Sequence, residues 1–191
     1  ILVAAPPARA ADLLRLDPAA TSVAFELGST FHTVHGSFDL ARGEIWFDAG
    51  TGEASGRIEI PTASGQSGNK SRDRKMHEEI LESARYPAIV FQPDRFEGSF
   101  DPASGGKVSL AGAIEIHGAS HRISVPAEVS ISGVKLTGTA RLTIPYVEWG
   151  MKDPSVLFLR ARKEVEVTIH LEGSIQREAP APDQDGKLPA E

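Results

Sequence analysis

Four histidines, His35, His77, His117 and His121, carry the side chain best suited to metal chemistry in this sequence. Neutral imidazole is a common ligand of zinc and other transition metals, and three rings meeting at one point leave a coordination position for water. His117 and His121 flank the turn Gly118-Ala119-Ser120, so a tight hairpin would hold them close. His77 shares a helix face with apolar residues, and His32 and His35 straddle a slip in the first sheet segment. Taken singly, each reads equally well as a hydrogen-bonded residue that fixes a loop, and His170 reads only that way.

The second constellation is Arg72-Asp73 at the start of the same helix. Backbone N–H groups there, with the arginine, could receive an anionic headgroup, although Asp73 would repel one and reads equally as a helix-capping residue paired with an inward Arg or His. Enzyme signatures are missing: there is no G-x-S-x-G, G-x-x-x-x-G-K-[ST] or G-x-G-x-x-G run, and His77-Glu78 lacks a second histidine at the metalloprotease spacing. No carboxylate pair can be given acid and base roles. Gly65-Gln66-Ser67-Gly68-Asn69-Lys70 lacks phosphate-loop spacing and reads as a flexible portal loop. The sequence therefore points to a non-enzyme that requires no cofactor, with zinc or a similar metal as the alternative.

These side chains must be positioned by strands and a single helix. From Asn69 to Tyr86, Met76, Ile80, Leu81 and Ala84 fall on one arc at helical spacing, while Arg74, Lys75, Glu78, Glu79 and Glu82 fall opposite. Ser71 reads as its N-cap, and Pro87 stops it. Asp73 and His77 lie within the apolar arc and need partners there. Nearly everything else alternates with period two: 21–27, 34–40 after the slip, 43–48, 54–61, 88–96, 108–116, 123–131, 134–144 and 162–173. Phe96 to Gly106 reads as a turn-rich connection, and Pro145 to Leu159 as a long functional or capping loop.

A chain of 191 residues with 40% hydrophobic and 24% charged content suits one globular domain. Its net charge of -6, with no basic run, argues against nucleic acid as a partner. No apolar run is long enough for a membrane span. The opening ILVAAPPARA ends in Ala8-Arg9-Ala10, a small-x-small cleavage shape, so residues 1–16 read as a signal-peptide remnant and lead-in, and the protein as periplasmic or secreted. Without cysteine there is no disulfide, thiolate metal site or lipid-modified cysteine anchor. Residues 174–191 read as a disordered, acidic, Pro/Ala-rich tail. A homodimer is compatible with all of this.

Strands at hairpin spacing with one helix imply an all-β fold: an eight-stranded antiparallel up-and-down barrel, closed so that no edge is exposed, with the helix covering an opening. A β-sandwich is the competing architecture. The order Val34-x-Gly36-x-Phe38, then Ser71-Arg72-Asp73, then Tyr86-Pro87-x-Ile89-x-Phe91, then Gly112 and Ile116-His117-Gly118, resembles the YceI-like family over about Asp17 to Gly173. That resemblance implies a lipocalin-like, often periplasmic barrel holding a polyisoprenoid or similar long-chain lipid. Phe25, Phe38, Phe47, Phe91, Leu110, Ile114, Val125, Leu136, Leu142 and Val167 are then the expected tunnel wall, with Arg72 at the headgroup and Trp149 in a loop bordering the opening. A metal-binding protein on the same scaffold, and an interaction module with a filled core, are the competing readings.

Overall fold

The computed structural model describes residues 11–155 and 160–177. The expected cleavage site at Ala8-Arg9-Ala10, part of the capping loop, and most of the expected tail lie outside the described residues. Ten strands form one antiparallel sheet: β1 (Asp12–Leu16), β2 (Ser22–Gly28), β3 (Thr33–Phe38), β4 (Arg42–Asp48), β5 (Glu53–Pro61), β6 (Ala88–Asp101), β7 (Gly105–Ile116), β8 (Ala119–Ser132), β9 (Lys135–Ile144) and β10 (Val165–Gln176). They occupy eight positions around a closed barrel. β1 and β2 lie end to end along β10, through Leu14 opposite Ile175 and Phe25 opposite Val167. β4 and β3 continue one another beside them. The β1–β10 pairing closes the ring, which settles the architecture against a sandwich.

The strands end where the backbone chemistry changes. Between β1 and β2 the chain kinks over Asp17, whose carboxylate accepts from the Ala19 N–H at 2.9 Å. The kink moves the inward phase from Leu14 and Leu16 to Val23 and Phe25. An expected lead-in is thus a barrel strand, too short at five residues to show its own alternation. β6 also runs longer than its pattern suggested, because a register shift between Pro93 and Arg95 adds one residue. Inward positions are Ile89 and Phe91 before this bulge and Phe96 and Phe100 after it, so a continuous strand reads as a strand and a loop. Gly98 sits in the left-handed region at φ +116, where a Cβ would stand 2.4 Å from the Lys107 carbonyl oxygen. β10 likewise continues past Gly173 to Gln176.

The helix is shorter than its pattern and starts earlier. α1 (Lys70–Lys75) is capped by Asn69, whose side-chain oxygen accepts from the N–H groups of Ser71 and Arg72, so Ser71 is inside the helix. A π-helical turn, Met76–Ile80, follows, and Glu82 in the left-handed region (φ 45) ends it. Ala84 is therefore exposed, whereas Met76, Ile80 and Leu81 face the barrel as their spacing required.

Two clusters of buried residues result. One, around Leu14, Phe47, Phe96, Leu136 and Ile175, closes the end where β4–β5, β6–β7 and β8–β9 turn. The other, around Leu81, Ile116, Ile144, Tyr146 and Met151, lies beneath α1 and the loop after β9. A filled interior gives one continuous core. Here the clusters are separate, and the space between them is hollow.

Candidate functional site

The hollow is a cavity of about 680 Å³. Small-molecule sites span roughly 300–1,000 Å³. At 12 residues, β7 gives the barrel a height of roughly 30 Å for a rise of about 3.3 Å per residue and a tilt of about 40°. Its wall follows from alternation. On β8, Ile123, Val125 and Ala127 face inward yet stay half-buried, while Val129 and Ile131 nearer the closed end are fully buried. Inward residues remain accessible only where nothing packs against them.

The floor is aromatic. Phe47 stacks on Phe96 at 5.1 Å, and Phe100 meets both edge-on at 5.4 and 5.8 Å. Above it the wall carries Phe91, Leu110, Ile114, Val125, Leu142 and Val167, while Leu136 lines the space from the floor cluster. Phe25 and Phe38, 5.5 Å apart, lie on the β2–β3 side. Gly36 makes this arrangement fit, since a Cβ there would stand 2.2 Å from the Phe25 ring. The polar lining gathers at the other end: Ser29 and His32 from the β2–β3 hairpin, and Ser67, Asn69, Ser71, Arg72 and Lys75 from the α1 region.

All the expected wall residues thus face one space, and Arg72 stands at its mouth. Arg72 is already engaged: its Nε donates to Ser67 Oγ at 2.7 Å and a terminal nitrogen donates to the Ser67 carbonyl at 3.1 Å. Asp73 accepts from the Ser67 N–H at 2.8 Å and its hydroxyl at 2.5 Å, so its inward partner is a loop serine, with neither Arg nor His. The three side chains tie the portal loop to the helix start. Trp149 is the exception among the expected contacts. It does not line the cavity but stacks flat on His121 at 4.1 Å, pinning the loop after β9 against β8.

The histidines do not converge. His77 Nε2 donates to the Gly65 carbonyl at 2.8 Å, which leaves Nδ1 to accept from the Ser83 hydroxyl at 3.0 Å in the neutral ring. His117 meets Glu82 at 3.3 Å and packs on Tyr86 at 4.6 Å. His35 is exposed beside Glu26, and His121 lies under Trp149 with Nε2 buried and unpartnered. Among the described residues no group of three His, Cys, Asp or Glu side chains could hold a metal ion. The expectation of a shared metal site fails because strand phase sets the face a side chain occupies, and says nothing of its height or its neighbours across the ring.

Several wall and cap residues escaped the sequence reading. Leu14 and Leu16 were hidden in a short strand, Phe96 and Phe100 behind the β6 bulge, and Tyr146 and Met151 in a loop without periodicity. For the phenylalanines a signal existed: Phe96, Gly98 and Phe100 keep period two if the bulge is allowed. Tyr146 is buried and donates from its hydroxyl to the Arg162 carbonyl at 2.7 Å; burial, and then the charge of Asp153, pushes that hydroxyl from 10.0 up to about 12.

A family model described as a YceI-like domain matches residues 14–173. BcnA of Burkholderia cenocepacia is 21% identical, with 82% of this chain and 98% of that chain covered at a TM-score of 0.69. A polyisoprenoid binding domain from Saccharophagus degradans, implicated in plant cell wall breakdown, is 16% identical, covering 84% and 97% at 0.67. The Campylobacter jejuni YCEI protein is 21% identical, covering 78% and 88% at 0.59. No curated protein matches the chain.

Proposed function

Given that the chain belongs to the YceI-like family, we propose that it binds, stores or carries a long-chain amphipathic lipid of polyisoprenoid type, and is not an enzyme. The supporting observation is the form of the cavity: an apolar shaft above an aromatic floor, with polar side chains only at the opposite end. A hydrocarbon tail is held by area, at about 0.8 kcal/mol per buried CH2. Ten such groups contribute roughly 8 kcal/mol before the costs of association and ordering, so a longer tail is needed for tight binding. A polar headgroup is best solvated at the mouth, where the free N–H groups of Arg72 and the ammonium of Lys75 are available. The polyisoprenoid binding domain of Saccharophagus degradans shares this fold.

Export to the periplasm or medium is part of the same proposal, supported by the apolar ILVAA run before Ala8-Arg9-Ala10. Mass spectrometry of an organic extract of the purified protein tests the ligand. A stoichiometric long-chain lipid is expected. Neither co-purified lipid nor uptake of added prenol would leave the hollow without this role.

A further inference from the structure

The rim of the mouth differs from the rest of the surface in two respects. Phe31, at the tip of the β2–β3 hairpin, is 72% exposed although its neighbours Ser29 and His32 line the cavity. A large apolar ring therefore stands in solvent beside the opening. The charges differ as well. Along the barrel wall most cations are matched, Arg141 excepted: Arg15 with Glu44 at 2.9 Å, Lys107 with Glu128 at 2.8 Å, Arg122 with Asp94, and Lys135 with Glu172.

At the mouth Lys152 is paired with Glu79 and Arg85 with Glu82, but several other cations have no carboxylate partner. Among the described residues Lys70, Arg74, Arg160, Arg162 and Lys163 form no ion pair, although Arg160 and Lys163 act on Asp153 at longer range. Carboxylates on the same elements include Glu79, paired with Lys152, Glu26 beside His35, and Asp73 and Asp153, which accept from Ser67 and Ser155 and keep their charge. Glu78, Glu148 and Glu164 are further exposed acids near the free cations, with Glu115 and Glu166 on the adjoining strand ends.

The apolar tip and two of these cations form one unit. Thr30 N–H donates to the Arg160 carbonyl at 3.0 Å, and Arg160 N–H donates to Thr30 Oγ1 at 3.1 Å. Arg162 N–H donates to the Gly28 carbonyl at 2.8 Å. Phe31 is thus carried on a hairpin braced by the segment that presents Arg160 and Arg162.

We propose that this rim docks on an anionic lipid bilayer, with Phe31 in the interfacial layer and the free cations against the lipid headgroups. Basic side chains near an anionic surface each add attraction that salt screens, and an aromatic ring at the boundary supplies the apolar anchor. The mouth then faces the membrane, so a lipid tail passes from bilayer to cavity without crossing water. This purpose rests on the lipid-binding reading, while the docking itself does not.

Flotation with vesicles of phosphatidylcholine, with and without phosphatidylglycerol, tests it. Wild-type protein should float with the anionic vesicles only, and lose association as salt is raised. Phe31→Asp, and Arg160→Glu with Arg162→Glu, should each weaken association by about tenfold or more, while uptake of a short fluorescent prenol from water is unchanged. Phe31→Trp gives an independent readout, a blue-shifted emission when anionic vesicles are added. No flotation, flotation equal on neutral vesicles, or flotation untouched by these substitutions overturns the docking surface. Loss of aqueous uptake by the wild type overturns the lipid-binding reading alone, and the flotation result stands separately.

Discussion

The two ends of the barrel are built from the same alternating strands and come out opposite. At the floor, three phenylalanine rings meet, and Leu14, Leu136 and Ile175 close around them, leaving Phe47 and Phe96 buried and Phe100 half-buried. At the mouth, Phe38, Ile116, Ile144 and Tyr146 stay on the wall and leave a gap, which is covered by a short helix and loops. That cover is tied on by hydrogen bonds: Thr62 Oγ1 donates to the Tyr86 carbonyl at 2.7 Å, His77 bridges Gly65 and Ser83, and Ser67 joins Arg72 and Asp73. An end packed with rings opens only with the whole barrel, whereas a cover held by a few part-exposed polar contacts opens locally at lower free energy. A carrier needs both, one end to stay shut and one to admit a tail.

The largest expected contrast comes from cutting into the floor. Phe47→Ala should lower stability by about 3–5 kcal/mol, because two ring contacts vanish and the void is fixed by strands on every side. Met76→Ala at the mouth, facing open space, should lower it by clearly less; urea unfolding of both variants checks the order. Next is the cover's own fastening. Asp73→Ala removes the acceptor for two donors of Ser67 and should cost about 1.5–3 kcal/mol, read as faster hydrogen exchange across residues 62–86 with the floor amides unchanged. Equal acceleration at both ends would mean that the cover is not an independent unit.

Filling the two regions sharpens the same comparison. Leu136→Trp, at 2% exposure, should overpack its cluster and cost about 1–3 kcal/mol. Val125→Trp points into the hollow, so it should leave stability nearly unchanged while abolishing lipid uptake. If Val125→Trp destabilises as much as Leu136→Trp, the middle of the barrel is filled in solution. The smallest effect is a pH dependence at the mouth. Because Tyr146 has its hydroxyl raised from 10.0 to about 12, its contribution is complete below pH 10 and is lost as pH rises towards 12. Thermal unfolding across that window should show a decline for the wild type that Tyr146→Phe lacks.

Much of the barrel was legible because burial on one face of a strand imposes period two. Val125, Leu142 and Val167 were placed on the wall by parity alone, and Met76, Ile80 and Leu81 on the inner face of the helix by helical spacing. Where parity changes within an element, the reading failed. The kink over Asp17 and the extra residue at the β6 bulge each shift the phase, so Leu14 and Phe100 were lost to a lead-in and a loop. Trp149 was expected to contact the ligand from a loop at the opening. The loop is at the opening, but the ring locks it onto His121, a contact between segments far apart in sequence, and does not line the cavity.

What the chain determines by itself is therefore local: which side chains turn inward, since alternation depends only on neighbouring residues and the pleat. Whether inward side chains touch is another matter. That depends on the radius of the closed ring and on which rings and aliphatics share a level, which no single strand encodes. Closure at eight positions with three phenylalanines in mutual contact at one level produced a floor, and side chains that do not meet across the ring at the next produced a hollow. The same three-dimensional placement sent His35, His77, His117 and His121 to separate partners, although their types and phases had allowed them to meet.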